Sequence, residues 1–475
     1  MNEKGLTSGL NQQEAPLFAA LQAYVAQVRA PYHMPGHKMG HAAPPEWRQF
    51  MGENALRIDL TEAPGLDDLH APSGAILAAE RLAADAFGAA ESYFLVGGTT
   101  AGLHGLILTA CRPGESIVLP RHAHRSILGA TILAGARPKW VPVQFDPDLD
   151  VAIGPEPKAL AAALPGSSAA LLVHPTYFGA ASDVASQIEM IHQAGLPVLV
   201  DGAHGTHFGF HPALPPSSLH LGADGVVQSV HKTGGSLTQS AICHLGRGSR
   251  LEAARLRQML PLVQSTSPSY LLMASLDLAR RELALHGEAM WDRALTLATT
   301  ARRQLAQCKG IRVAPAADPT KLLIDVRGRR LTGFQAYDLL WERGVALEAS
   351  GLGWVLALLT HGDEEESVAA LVKAVNELPE GTGLPPRPPA PPEATALLTP
   401  REAFLAAKEL VPLADATGRI AAEMVCPYPP GIPVVVPGEQ LSPDVIEYLQ
   451  AARHMGNHLQ GPSDPELRYI QVVRE

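Results

Sequence analysis

The chain has 475 residues, 46% of them hydrophobic and 18% charged, with a formal net charge of −10; this is enough material for two or three cores and the wrong sign for a nucleic-acid binder, which would carry basic stripes. Four scattered cysteines (Cys111, Cys243, Cys308, Cys426) form no C-x-x-C pair, so neither a disulfide framework nor a thiolate metal site is indicated. No basic-then-apolar leader opens the chain and no uncharged apolar run reaches about 18 residues, so neither a signal peptide nor a membrane span is expected, and a cytoplasmic location is.

Apolar residues at helical spacing predict a helix over 18–29, and prolines and glycines then break regular structure over 30–47. From 75 the pattern alternates. Helices are expected at 75–89, 99–114, 124–136 and 182–195, the last with Ser182 or Asp183 as N-cap and Gly195 as C-cap. Strands are expected at 92–98, 116–120, 169–175, 196–204 and 223–232. Short, continuously apolar strands separated by helices mean a mainly parallel sheet covered on both faces. Ligands of such sheets bind beyond the carboxyl ends of the strands. Gly97–Thr100, Pro175–Tyr177, Asp201–His204 and Ser229–Lys232 all fall at such ends. A long helix over 276–307 and strands at 321–326 and 353–360 then indicate a smaller α+β domain, and a proline-rich stretch (378–394) a linker. The expected division is an N-terminal arm (1–30), a large domain (31–275), a small domain (276–380), a linker (381–394) and a C-terminal domain (395–475).

The polar residues at the strand ends suggest a chemistry. Lys232 follows the apolar run "ADGVVQSV". A lysine there either reaches out to water along its own stem or sits partly desolvated as an amine nucleophile able to form a Schiff base. Asp201 ends the strand "LPVLVD"; it either caps a turn or pairs with a cation such as a protonated pyridine nitrogen. The loop "VGGTTAG" precedes a helix, where backbone N–H groups and the Thr99 and Thr100 hydroxyls could hold a phosphate. It lacks both the P-loop lysine and G-x-G-x-x-G. Ser229 and His231 flank the lysine; His122 and His124 follow a strand and offer an imidazole for ring stacking or for helix capping. His204, His207 and His211 match no H-E-x-x-H pattern, and no metal is expected.

Together "MPGHKMG", "LTEAPGLDDLHAPSGAI", "FLVGGTTAG", "PRHAHRS", "HPTYFG", "VLVDGAHGTHF", "GADGVVQSVHKTGGSLTQSA", "QSTSPSYLLMASLDLAR" and "PYPPGIPVVVPGE" resemble the short, Bacillus-type branch of the Orn/Lys/Arg decarboxylases. The resemblance implies a pyridoxal-phosphate enzyme of fold type I, the aspartate-aminotransferase fold. It makes Lys232 the lysine bound to the cofactor aldehyde and Asp201 the partner of its ring nitrogen. His124 would stack on one ring face and Ala203 pack on the other. Thr99, Thr100, Ser229 and His231 would surround the phosphate, with His204 also beside the cofactor. The expected substrate is a basic amino acid, arginine first and lysine or ornithine open, its distal cation met by Glu439, Asp67 or Asp68. The expected assembly is a homodimer or larger homo-oligomer with shared sites. Two rivals are another reaction on the same scaffold, such as transamination, and a non-catalytic regulatory homologue. The chain departs from the family at Gly202, where Glu is common, at Gly97, where Asn is common, and at His122.

Overall fold

The computed structural model describes residues 10–146, 148–149, 151–383, 392, 394–428, 433–454 and 458–474. Most of the proline-rich stretch expected as a linker, and part of "PYPPGIP", lie outside the described residues. The elements used below are, in chain order, α1 (Pro16–Gln27), α2 (Ala75–Phe87), β1 (Glu91–Leu95), α3 (Gly98–Ala110), β2 (Ser116–Pro120), α4 (Arg125–Ala134), β3 (Arg137–Val141), β4 (Ala169–Val173), α5 (Val184–Gln193), β5 (Val198–Asp201), β6 (Gly225–Gln228), α6 (Val230–Thr233), β7 (Ala241–Leu245), α7 (Tyr270–Leu305), β8 (Lys321–Asp325), α8 (Gly333–Trp341), β9 (Trp354–Leu358), α9 (Glu365–Asn376), β10 (Lys408–Pro412), α10 (Pro443–His454) and β11 (Tyr469–Val473). The chain divides into two compact units, Met1–Thr109 with Pro197–Trp291, and Ala110–Leu196 with Asp292–Glu475.

In the first unit the strand order is β1-β7-β6-β5. β1 pairs antiparallel with β7, β7 antiparallel with β6, and β6 parallel with β5. Two successive reversals restore direction, so β1, β6 and β5 all point the same way. Their last residues, Leu95, Gln228 and Asp201, therefore share one edge. β5, β6 and β7 are buried along their whole lengths, as expected of strands covered on both faces. α2 buries Ile76, Ala79, Leu82, Ala83 and Phe87, a helical stripe, and stops at Gly88, which is left-handed. The N–H groups of Phe94 and Val96 are taken by side chains: Glu80 accepts the first (2.8 Å) and Gln264 the second (2.9 Å). α1 is anchored by the buried pair Asp277–Arg280 (2.7 Å): Asp277 accepts the N–H groups of Leu17 and Phe18, and Arg280 donates to the carbonyls of Gln12 and Glu14.

In the second unit β4, β2 and β3 run parallel. α5 has Asp183 as its N-cap, its carboxylate accepting the Ser186 N–H, and Gly195 follows its end in the left-handed region. β8 and β9 pair antiparallel beside α8 and α9, around Leu322, Ile324, Leu340, Val355 and Val375. β10 and β11 form a separate ribbon whose core includes Leu441, Leu449, Ile470 and Val472.

Two local outcomes differ from the sequence expectation. The run 223–232 is not one strand: it stops at Gln228, and Ser229 opens the single turn α6 that carries Lys232. The turn closes through Lys232 N–H to Ser229 O (3.0 Å) and Gly234 N–H to Val230 O (2.7 Å). The second is β7, whose five residues are too short for periodicity to reveal and which makes part of the sheet antiparallel.

Candidate active site

Eight expected residues gather at the shared strand edge of the first unit. Lys232, half-buried in α6, brings its Nζ to 2.9 Å from His204 Nε2. An ammonium has only donors, so the imidazole nitrogen facing it is the acceptor. Asp201, 5% exposed, ends β5 and accepts the Ala203 N–H at 3.1 Å. Thr99 Oγ1 lies 3.2 Å from Ser229 Oγ, so the first turn of α3 and the start of α6 present paired hydroxyls. The close approach of α3 to the strands requires Gly102, where a Cβ would come within 2.6 Å of Val227 Cγ1 and 2.7 Å of Leu95 Cδ1. Thr100 is exposed in the same turn.

His231 is half-buried beside the lysine, with Nδ1 2.8 Å from Ser240 O. Burial lowers its pKa; the Ser240 carbonyl works against this and the neighbouring Lys232 charge adds to it. Its other ring nitrogen, Nε2, is the one left for a ligand. Amine, buried carboxylate and paired hydroxyls are a donor set that fits an aldehyde, a ring nitrogen and a phosphate. The buried Thr206 and Thr233 hydroxyls have no hydrogen-bond partner among the described residues, which leaves further polar capacity in the segments bearing His204 and Lys232.

The remaining expected residues make the following contacts. Asp67, at φ +71°, accepts the N–H groups of Asp68, Ser73, Gly74, Ile76 and Leu77 at 2.7–3.3 Å, at the start of α2. Burial raises its pKa, but donors from Ser73, Gly74, Asp68 and Leu77 outweigh that and leave it lowered. Asp68 is exposed and accepts the His70 N–H at 2.8 Å. Glu439, in the second unit, is 2% exposed and paired with Arg121, at 2.5 and 2.9 Å to its two oxygens; Glu439 also accepts the Val436 N–H. In that unit the exposed His124 is the N-cap of α4, Nδ1 accepting the Ser126 N–H at 3.2 Å. His122 is buried and its pKa is pushed down by burial to about 4, so it is a neutral core histidine. His207 packs with its ring 4.4 Å from that of Trp291. Among the described residues no group of three or more His, Cys, Asp or Glu is placed to hold a metal, and no helix is long and apolar enough to cross a membrane.

Sequence reasoning did not anticipate the contact of His204 with Lys232, nor Gln228, the last residue of β6, whose amide donates to Gly205 O at 3.0 Å. A polar residue closing an otherwise apolar strand was the available signal.

The family description "Orn/Lys/Arg decarboxylase, major domain" matches residues 15–322, and its C-terminal domain matches 391–467. The chain is 40% identical to the arginine decarboxylase of Bacillus subtilis, over 98% of this chain and 99% of that protein. It is 37% identical to the arginine decarboxylase of Bacillus anthracis, over 98% of each. Among solved structures, lysine decarboxylase A from Pseudomonas aeruginosa superimposes with a TM-score of 0.83 at 23% identity, over 97% of this chain and 80% of that one. The fold is thus the one the resemblance implied: α/β, fold type I, a mostly parallel sheet covered by helices.

Proposed function

Because the chain belongs to the Orn/Lys/Arg decarboxylase family, we propose that it decarboxylates a basic amino acid with the help of pyridoxal phosphate, arginine preferred, giving agmatine and CO2. The observation that carries this reading is the meeting of the Lys232 amine with His204 at the strand edge where the buried Asp201 ends β5. The preference for arginine is supported by relatives of that name at 37–40% identity.

The cofactor, when bound, supplies an electron sink for the pair released as the bond from Cα to the carboxylate breaks. The chain's own residues hold and orient. Lys232 Nζ is the covalent attachment point. Asp201 keeps a proton on the ring nitrogen, a role its burial strengthens because the pair would sit in a low dielectric. Thr99, Thr100 and Ser229 supply donors for the phosphate; His231, whose Nδ1–H is committed to Ser240 O, would add a donor from Nε2 only when protonated, and Ala203 offers a small side chain against a ring face. A proton on Lys232 Nζ can pass to His204 Nε2 over 2.9 Å, which makes this pair the reservoir for protonating Cα after CO2 leaves. From the resemblance, His124 is proposed to stack on the ring. For the distal cation we propose Asp68, exposed and bearing one backbone donor. Polyamine synthesis in the cytoplasm, by a homodimer or larger homo-oligomer, completes the proposal.

The test is product analysis with arginine, lysine and ornithine. CO2 and agmatine, with arginine giving the highest kcat/KM, are expected; a keto acid in place of CO2 would overturn the reading. Lys232→Ala should abolish the borohydride-sensitive visible absorbance of the loaded enzyme. Asp68→Asn should raise KM for arginine about tenfold with kcat little changed.

A further inference from the structure

The lysine and its histidine stand on different segments. Lys232 is carried by α6 after β6; His204 is carried by the turn after β5. Something must hold the two segments in register to keep the 2.9 Å contact. The backbone contributes Gly202 N–H to Val227 O (2.9 Å), one step beyond the last paired residues, Asp201 and Val227. Beyond that point the turn closes on itself through Gly205 N–H to Gly202 O (2.8 Å). One side chain then crosses back: Gln228 Nε2 donates to Gly205 O at 3.0 Å. Gln228 is 2% exposed, so this bond is shielded from competing water. It ties the residue after His204 to the residue four before Lys232.

Gly202 belongs to the same device. A Cβ at 202 would stand 3.1 Å from Val227 O, 3.3 Å from Val226 Cγ1 and 3.5 Å from Gln228 Cγ. The bare glycine lets the turn lie flat against β6, with the Gln228 stem packed beside it. We propose that Gln228 is a positioning residue, which with Gly202 clamps the 201–205 turn so that His204 Nε2 meets Lys232 Nζ. The proposal rests on the functional reading above only for the meaning of the contact, not for its existence.

The consequence can be signed. His204 accepts from the charged amine, which favours the ammonium; loosening it leaves more neutral, reactive amine at a given pH. His231 also borders the lysine, and Asp201 ends the adjacent strand; both are left unaltered in every variant. The test uses the full-length chain before cofactor is added, with the rate of Lys232 modification by an amine-selective reagent followed across pH by peptide mass spectrometry. His204→Phe should move the profile to lower pH by about one unit, a tenfold gain in rate below the midpoint. Gln228→Met, close to Gln in volume but without the amide, should move it the same way by at least threefold. Gly202→Ala keeps the amide and should do likewise by lifting the turn; it also serves if Gln228→Met fails to fold. Neither change should add anything in the His204→Phe background, a non-additivity that a general loss of packing would not produce. A profile unmoved in both variants, or effects that persist without His204, would overturn the proposal. Because no turnover is measured, failure of the decarboxylase reading and failure of the clamp are separate results.

Discussion

Removing Arg121 should cost the second unit more than removing the charge of its partner Glu439. Arg121 meets both Glu439 oxygens, donates to Val434 O at 2.6 Å and lies 5.2 Å from the Trp140 ring centroid. Its side chain is 22% exposed and that of Glu439 only 2%. Two unit charges about 4 Å apart attract by about 4 kcal/mol at an effective dielectric of 20, an attraction set against the desolvation of both. Arg121→Met leaves a buried carboxylate with the Val436 N–H as donor; breaking a buried pair in this way costs about 3–5 kcal/mol. Arg121 is not fully enclosed, and water can reach the vacated side, so about 3 kcal/mol is the expected figure. Glu439→Gln leaves a cation that can turn to solvent and still bond Val434 O; about 1–2 kcal/mol is expected. Restoring neutrality in Arg121→Met/Glu439→Gln should recover at least half of the single Arg121 loss. The assay is urea unfolding followed by circular dichroism and tryptophan fluorescence, compared through midpoints, with coincidence of the two probes as the check on cooperativity. Equal costs for the two single changes, with simple addition in the double, would refute the reasoning.

Three further outcomes are expected. Asp67→Asn should cost about 1–3 kcal/mol, because an amide cannot accept all five N–H groups and turns a donor toward some of them. Since the folded carboxyl has a pKa below its ordinary 3.8, its contribution is complete above that value and disappears as the pH falls through the folded one; the gap between wild type and Asp67→Asn, read from urea midpoints, should close in acid. Glu80 has the opposite sign: burial raises its carboxyl from 4.5 to about 8. The native state therefore holds an extra proton in that window, and stability should fall by about 1.4 kcal/mol per pH unit as the pH rises across it; Glu80→Gln, which still accepts the Phe94 N–H, should remove the slope. Arg280→Met should strand the buried Asp277 and release α1, seen as faster amide exchange in residues 16–27 and a lower thermal midpoint.

The strand edge was legible because its grammar is short-range. "VLVD" and "GVVQ" are fully buried runs that end in polar groups, and side chains at such ends face a ligand crevice. The turn bearing Lys232 was not legible, since "SVHKTG" continues an apolar run and only the closing glycine hints at a helical turn. β7 was hidden for a similar reason: a five-residue, mostly apolar run after a polar loop fits a strand or a buried helix equally well. Glu439 and Arg121 are 318 positions apart, and no local pattern links them. Asp67 and Asp68 look alike in "GLDDLH", yet the backbone at Asp67 is left-handed. That conformation turns its carboxylate onto the N–H groups leading into α2, and no composition rule separates the two.

The same geometry bears on the carboxylate proposed for a cationic substrate. An ionised carboxylate offers about four acceptor sites. Those of Asp67 face five N–H groups; those of Glu439 face a guanidinium and a backbone donor. A second cation at either would compete with bonds already made and would gain only part of the charge. Asp68 has acceptor sites to spare, and its backbone N–H is itself tied to Asp67 Oδ1 at 3.0 Å. Asp67, its carboxylate committed to five N–H groups, fixes the backbone of Asp68, whose side chain stays exposed. Rigid support behind a sparsely bonded carboxylate lowers the cost of ordering it on a ligand, and that is the ground on which Asp68, of the three, is proposed for the distal charge.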